Sequence, residues 1–243
     1  MNVRDLFPSA AARSELQHHQ LAGFDALWSL ATDWHEAPNE RRGGWSGVSR
    51  HLLDDGSAMF VKRQEDHLCR TLRHPLSGIP TFYREYRNIL RLQRHAIGTL
   101  EALYYGDRRK GGHWQAILVT RALDDFSSLD DWNVANPQPT ARQRQSLIAA
   151  IASACARLHR QRLQHSCLYG KHVFVRRSPS KPEAYEEDDV RLIDLEKLRR
   201  GISRERAGAH DLDQLRRHTS GWNDADWQFF TAAYRQQLDL LRC

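Results

Sequence analysis

Sulfur is scarce in this chain, with four cysteines and two methionines among 243 residues. The cysteines, Cys69, Cys155, Cys167 and Cys243, form no C-x-x-C pair, so reduced thiols are the simplest expectation. Long apolar runs are missing too. The longest, Leu147 to Leu158, is too short to span a bilayer and is interrupted by Ser153. The opening stretch MNVRDLFPSAAARSELQHHQ has no apolar core of the kind a signal peptide needs. There is no internal repeat and no low-complexity linker. A cytoplasmic protein is expected, and peripheral contact with the cytoplasmic face of the inner membrane stays open.

What is present is the composition of an ordinary globular protein, 40% hydrophobic and 27% charged. The length suits one compact domain or two small lobes. A formal net charge of +6 points to an anionic partner, and nucleic acid, phospholipid head groups and nucleotides all qualify. Between Lys62 and Arg94 there are eight Lys and Arg against Glu65, Asp66 and Glu85. Around LCRTLRHPLSG, read as a loop because of Pro75 and Gly78, this cluster favours an anionic acceptor or a membrane surface. No nucleic-acid motif accompanies the charge, so nucleic acid is not expected.

Residues 22 to 35 read as weakly helical or irregular. RRGGWSGVSRHLLDDGSAMFVKR then reads as a β-hairpin turning at Asp55-Gly56. TFYREYRNILRLQRH, from Thr81 as N-cap, has helical spacing in Phe82, Tyr86, Ile89 and Leu90. EALYYGDR and HWQAILVTRAL form a strand pair across Lys110-Gly111-Gly112. Long helices are predicted over 140–161 and 224–241. A strand-rich half with one helix thus precedes a helix-rich half.

LQHSCLYGKHVFV, followed by VRLIDLEK, has the layout of a kinase catalytic loop and its metal-binding turn. Phosphoryl transfer needs a phosphate cover, a cation, a metal ligand and a group that orients the nucleophile. Gly43, Gly44, Ser46 and Gly47 are candidates for the cover, with Ser49 as a further hydroxyl. Lys62 in AMFVKR is the candidate cation and Glu85 its partner. Arg121 and Leu123, at the expected hinge VTRAL, are candidate nucleotide contacts. Asp194 is the candidate Mg²⁺ ligand with Glu196 beside it, since oxygen donors suit that ion. His165, Cys167 and His172 are the catalytic candidates. They also offer soft ligands to zinc, but H-x-C-x₄-H is not a standard zinc pattern and a fourth ligand is not evident, so packing is preferred.

NERRGGWSGVSR, MFVKR, LRHPLSGIPTFYREY, AILVTRAL, QHSCLYGKHVFV, LIDLEKLRR and HDLDQLRRH together resemble the Kdo/WaaP lipopolysaccharide kinase superfamily, and most closely its InaA branch. The resemblance implies an α+β, small bilobal protein-kinase-like fold, divided into an N-terminal lobe (1–123) of antiparallel sheet plus one helix and a mainly helical C-terminal lobe (124–243). It implies ATP and Mg²⁺ as cofactors and an anionic sugar or glycolipid of the envelope as acceptor. His172 then stands where protein kinases have a second metal-binding Asn. Cys167 departs from the sugar kinases, which keep Asp there, and a pseudokinase is the alternative. A thiol is partly ionised at neutral pH, and His165 would raise that fraction. Transfer depends more on positioning and charge than on a strong base, so a slow enzyme is expected, with Cys167 facing a wet cleft. Fewer than fifty residues follow Asp194, without an A-P-E motif, which favours a small acceptor over a protein.

Overall fold

The computed structural model describes residues 3–31, 33–41, 43–71, 74–179 and 184–240, with no account of the side chains at 36, 37, 41, 71 and 74–77. The chain forms two compact units, Met1–Leu90 with Leu100–Ala122, and Arg91–Thr99 with Leu123–Cys243. The units interleave, whereas the expected division at 123/124 was continuous. Arg91–Thr99 belongs with the second unit because Thr99 Oγ1 donates to Leu192 O at 2.7 Å and Leu192 N–H donates to Gly98 O at 2.9 Å.

The first unit is built on strands β1 (Val3–Leu6), β2 (Trp34–Arg41), β3 (Gly44–Leu52), β4 (Ala58–Glu65), β7 (Ala102–Lys110) and β8 (His113–Arg121), in the antiparallel order β1-β7-β8-β4-β3-β2. The predicted hairpin is β3–β4 and the predicted strand pair is β7–β8. Because neighbouring residues of a strand face opposite ways, β4 presents two different surfaces. Met59 and Val61 join an apolar cluster with Ala12, Leu16, Phe24 and Leu27 of the helices α1 (Ala10–His18) and α2 (Phe24–Trp28). Lys62 and Gln64 turn the other way, toward the start of α3 (Thr81–Arg94).

Three expectations change here. The N-terminal half holds α1 and α2 as well as α3, because each short helix buries only two side chains, too few to show a period. The stretch read as a loop is a two-stranded ribbon, β5 (Leu68–Thr71) with β6 (His74–Pro80). Thr81 is the first helical residue rather than the cap. Its hydroxyl donates to Gln64 Oε1 at 2.8 Å, and the same oxygen accepts the Phe82 N–H at 3.0 Å.

The second unit centres on α5 (Ala141–Arg160), started by a capping box at Thr140 and buried along Leu147, Ile148, Ile151, Cys155 and Leu158. Around it lie α4 (Leu129–Ala135), α6 (Arg204–Arg217) and α7 (Asp224–Leu240), with α7 buried through Trp227, Phe230 and Tyr234. Strand β9 (Phe126–Ser128) pairs with β11 (Val173–Arg176), which pairs with β12 (Val190–Leu192); β10 (Leu163–Gln164) pairs with β13 (Arg199–Arg200). The sequence does not announce α6, because it buries Ala207, Gly208, Asp211 and Leu215, a stripe with one large apolar residue. Among the described residues no helix is long and apolar enough to cross a membrane.

Candidate functional site

In the first unit the ammonium of Lys62 lies 2.6 Å from Glu85 Oε1. The Glu85 side chain is 3% exposed and that of Lys62 is 19% exposed. A carboxylate so deep needs a cation, and Lys62 supplies one from the facing strand. The pair is positioned by a residue that sequence reading missed. Gln64, two residues beyond Lys62, holds the first turn of α3 through Phe82 N–H and Thr81, while its own amide donates to His67 O at 2.6 Å. Gln64 thus acts as a helix cap from a distant strand, which no local capping pattern reveals.

The glycine cluster serves packing as well. Gly43 occupies the turn before β3. A Cβ at Gly44 would lie 2.0 Å from Glu65 O, and one at Gly47 would lie 2.5 Å from the Trp34 ring. Those two glycines permit close approach of neighbouring backbone and indole. Ser46 pairs with Gln64 and so shares the strand face of Lys62, whereas Ser49 pairs with Val61, is buried, and contacts Val61 O and His51. Ser49 is therefore no phosphate donor. Arg121 pairs with Met59, on the face away from Lys62, and its guanidinium reaches Glu15 and Glu101 at 2.7 Å each. Its backbone N–H is committed as well, donating to Glu101 O at 2.9 Å. Leu123 belongs to the second unit, where its carbonyl accepts Phe126 N–H at 3.0 Å.

In the second unit the loop after β10 is held from below by Asp211 of α6. Its carboxylate, fully buried, accepts His165 N–H at 2.6 Å, Ser166 N–H at 2.9 Å and the His159 ring at 3.1 Å. Burial pushes the Asp211 carboxyl up, but the bonds from His159 and the two backbone amides outweigh it and leave it below the ordinary range. Ser166 takes a left-handed conformation, φ 70°, between those anchors. The anchoring residue lies in HDLDQLRRH, a segment visible in the sequence but without an assigned role there.

His165 cannot act as a base in this arrangement. Cys167 N–H donates to its Nδ1 at 3.3 Å, so Nε2 carries the proton and donates to Ile193 O at 2.9 Å. Complete burial holds its pKa below the ordinary value. The neutral ring instead ties the loop to Ile193, the residue before Asp194. His172 donates through Nδ1 to Cys167 O at 2.8 Å and brings Nε2 to 3.4 Å from Asp194 Oδ2. Asp194 sits at φ 58°, a left-handed position that Asp tolerates, and its side chain is 47% exposed. Glu196 follows in the next turn, half-buried.

Cys167 is 5% exposed, which corrects the expectation of a wet position. Burial and the neighbouring Cys167 thiol raise the Tyr169 phenol. The zinc alternative fails because His165 spends both ring nitrogens on backbone groups. Among the described residues no group of three His, Cys, Asp or Glu is placed to hold a metal. Mg²⁺ asks less of the protein, since it keeps waters and takes one or two carboxylates with substrate phosphates. Asp194 and Glu196 fit that requirement; the imidazole of His172 is a poor substitute for an oxygen donor.

The lipopolysaccharide kinase (Kdo/WaaP) family model matches residues 25–234. Protein InaA of Escherichia coli K12 is 33% identical over 214 residues, 87% of this chain and 94% of InaA. The lipopolysaccharide core heptose(I) kinase WaaP of Pseudomonas aeruginosa is 24% identical over 80% of this chain and 66% of WaaP. A solved structure of WaaP in complex with acyl carrier protein superposes with a TM-score of 0.68 at 22% identity, over 98% of this chain and 92% of that one. The α+β kinase-like fold is therefore shared, and the protein belongs to the lipopolysaccharide kinase (Kdo/WaaP) family.

Proposed function

We propose that the protein is an ATP-dependent phosphotransferase of the InaA type, acting on a hydroxyl of an envelope sugar, a glycolipid or another small acceptor. The observation that carries this reading is the Lys62–Glu85 ion pair at 2.6 Å. A cation held by a buried carboxylate yet partly exposed is what nucleotide phosphates require. In the second unit Asp194, with Glu196, would hold Mg²⁺, which would neutralise phosphate charge. His165 keeps the loop and the metal turn in register, and Asp211 fixes the loop backbone. Ser46, Gly43 and the backbone at Leu123 are the remaining nucleotide candidates. Family membership supports an anionic sugar acceptor, and the basic stretch around α3 supports peripheral contact with the inner membrane. Acyl carrier protein, the partner seen with WaaP, is a candidate partner here.

A second reading is favoured by one observation. Cys167, where the catalytic Asp would stand, is buried. That arrangement suits a pseudokinase that binds nucleotide without turnover. Calorimetry of Mg²⁺·ATP binding beside transfer from labelled ATP to lipopolysaccharide core sugars separates the two. Lys62→Met and Asp194→Ala should each abolish Mg²⁺-dependent binding in either case. Unchanged affinity in both variants would refute the nucleotide site, and phosphorylation of generic peptides with none of sugars would refute the acceptor class.

A further inference from the structure

We propose that Tyr234 and Gly208 form a positioning pair that fixes His159 in the tautomer protonated on Nε2, and through it the loop at His165 and Ser166. The four groups come from three helices. Tyr234 of α7 places its hydroxyl 2.9 Å from His159 Nδ1, and His159 of α5 places Nε2 3.1 Å from Asp211 Oδ2 of α6. Asp211 is ionised and can only accept, so Nε2 must donate. In the neutral ring Nδ1 then holds a lone pair, and this is the atom to which the Tyr234 O–H would donate.

Without that donor the imidazole would bury an unsatisfied nitrogen or take up a second proton. A doubly protonated ring would pull the Asp211 carboxylate toward itself. The same carboxylate also holds His165 N–H at 2.6 Å and Ser166 N–H at 2.9 Å, so any shift is felt by the loop. Burial keeps the phenol proton in place, raising Tyr234 well above an ordinary tyrosine, with the nearby Cys155, Asp211 and Glu205 adding to the effect.

Gly208 supplies an independent observation. A glycine inside a helix is disfavoured relative to alanine. Here a Cβ would lie 2.5 Å from the Tyr234 hydroxyl oxygen and 3.5 Å from His159 Nδ1, but at an ordinary 3.6 Å from the Tyr234 ring carbon that bears the hydroxyl. The glycine thus makes room for the hydroxyl rather than for the ring. This ties the two positions together through one oxygen atom. The effect on phosphoryl transfer rests on the kinase reading above; the tautomer and the loop do not.

The test uses the full chain labelled with ¹⁵N. Two-bond proton–nitrogen correlation reports the ring protonation of His159, and amide exchange reports His165 and Ser166. The wild type should show Nε2 protonated and Nδ1 unprotonated at neutral pH. Tyr234→Phe should protonate Nδ1 in a measurable fraction of molecules and speed exchange at His165 and Ser166 about tenfold. Gly208→Ala should act in the same direction when Tyr234 is present. It should be harmless, or stabilising through helix propensity, in the Tyr234→Phe background. Turnover, where present, should fall about tenfold in kcat with the nucleotide KM unchanged. A chain without turnover that shows these shifts would refute the kinase reading and support the positioning pair. Three results would overturn the pair: both His159 nitrogens protonated in the wild type, loop exchange within twofold of wild type in Tyr234→Phe, or equal damage from Gly208→Ala with and without the hydroxyl.

Discussion

Each unit buries one carboxylate that its site depends on, and the two are held in different ways. Glu85 takes an ammonium at the end of a flexible four-carbon stem, 2.6 Å away and still partly exposed. Asp211 takes two backbone amides and the buried His159 ring, none of which can turn elsewhere without moving the chain, with the exposed His210 ring at 3.2 Å besides. The first arrangement leaves its cation partly exposed to solvent. The second arrangement fixes geometry and offers nothing to a ligand. The contrast is between a mobile point charge and rigidly held donors.

Breaking the rigid anchor should have the largest effect. Asp211→Ala leaves two loop amides and the His159 ring without their acceptor, and should cost about 3–5 kcal/mol. Asp211→Asn keeps one acceptor oxygen and should cost about 1–3 kcal/mol. Urea unfolding followed by tryptophan fluorescence measures both. A cost below about 1 kcal/mol for the alanine variant would mean that the loop does not depend on Asp211.

Breaking the mobile pair should disturb stability less and binding more. Lys62→Met should destabilise by about 1–2 kcal/mol, reduced from a fully buried pair because the ammonium is partly solvated. Adding Glu85→Gln to it should recover part of that loss without restoring nucleotide binding, since the neutral amide no longer needs the cation. If Lys62→Met/Glu85→Gln binds Mg²⁺·ATP as the wild type does, the phosphate role of Lys62 is wrong.

What could be read in advance follows the same division. Lys62, Glu85 and Asp194 stand in short motifs whose residue types are dictated by charge, so they were legible as candidates from order and spacing, and the structure forms the Lys62–Glu85 pair. The helices and strands with a clear period, α3, α5, α7 and the pairs β3–β4 and β7–β8, were legible for the same reason. Gln64, Asp211 and Tyr234 act through contacts 17 to 75 residues apart, which no local pattern carries. His165 was visible but misassigned, because a buried neutral ring and a catalytic one look alike in sequence. Cys167 was misplaced in solvent for a related reason: exposure of a loop residue depends on what packs over it.

Acidification should sharpen the comparison at a smaller scale. Burial lowers the pKa of His165 from its ordinary 6.5, so the unfolded chain binds a proton that the folded chain refuses. Stability should therefore fall as pH drops from about 6.5 toward the folded value. Asp211 is lowered from 3.8, and its contribution is present above that value and lost as pH falls through its folded pKa. His51 of the first unit, lowered by burial and by Arg63, adds to the upper window. His165→Asn should accordingly reduce the fall between about pH 6.5 and 4 without abolishing it, and leave the steeper fall below. An identical pH profile in wild type and variant would show that His165 is not held neutral by the fold.

The smallest expected effect falls on the residue whose identity is most unusual. Cys167 is buried. Cys167→Ala removes one buried sulfur atom, so stability should drop by about 1 kcal/mol or less. Cys167→Asp puts a carboxylate where there is little water, and should cost more, about 1–3 kcal/mol, unless the loop opens to admit solvent. Single-turnover transfer from labelled ATP then decides the role of the thiol. If the protein is a slow enzyme that uses Cys167 to orient the acceptor, the alanine variant should lose transfer while keeping nucleotide affinity. The aspartate variant should gain transfer despite its lower stability, because a carboxylate accepts the acceptor's proton better. If the protein is a pseudokinase, neither change alters a rate that is already at background. Wild-type transfer above background and insensitive to both substitutions would remove Cys167 from the chemistry. It would leave His172, the one catalytic candidate whose ring nitrogen approaches Asp194, as the group to test next.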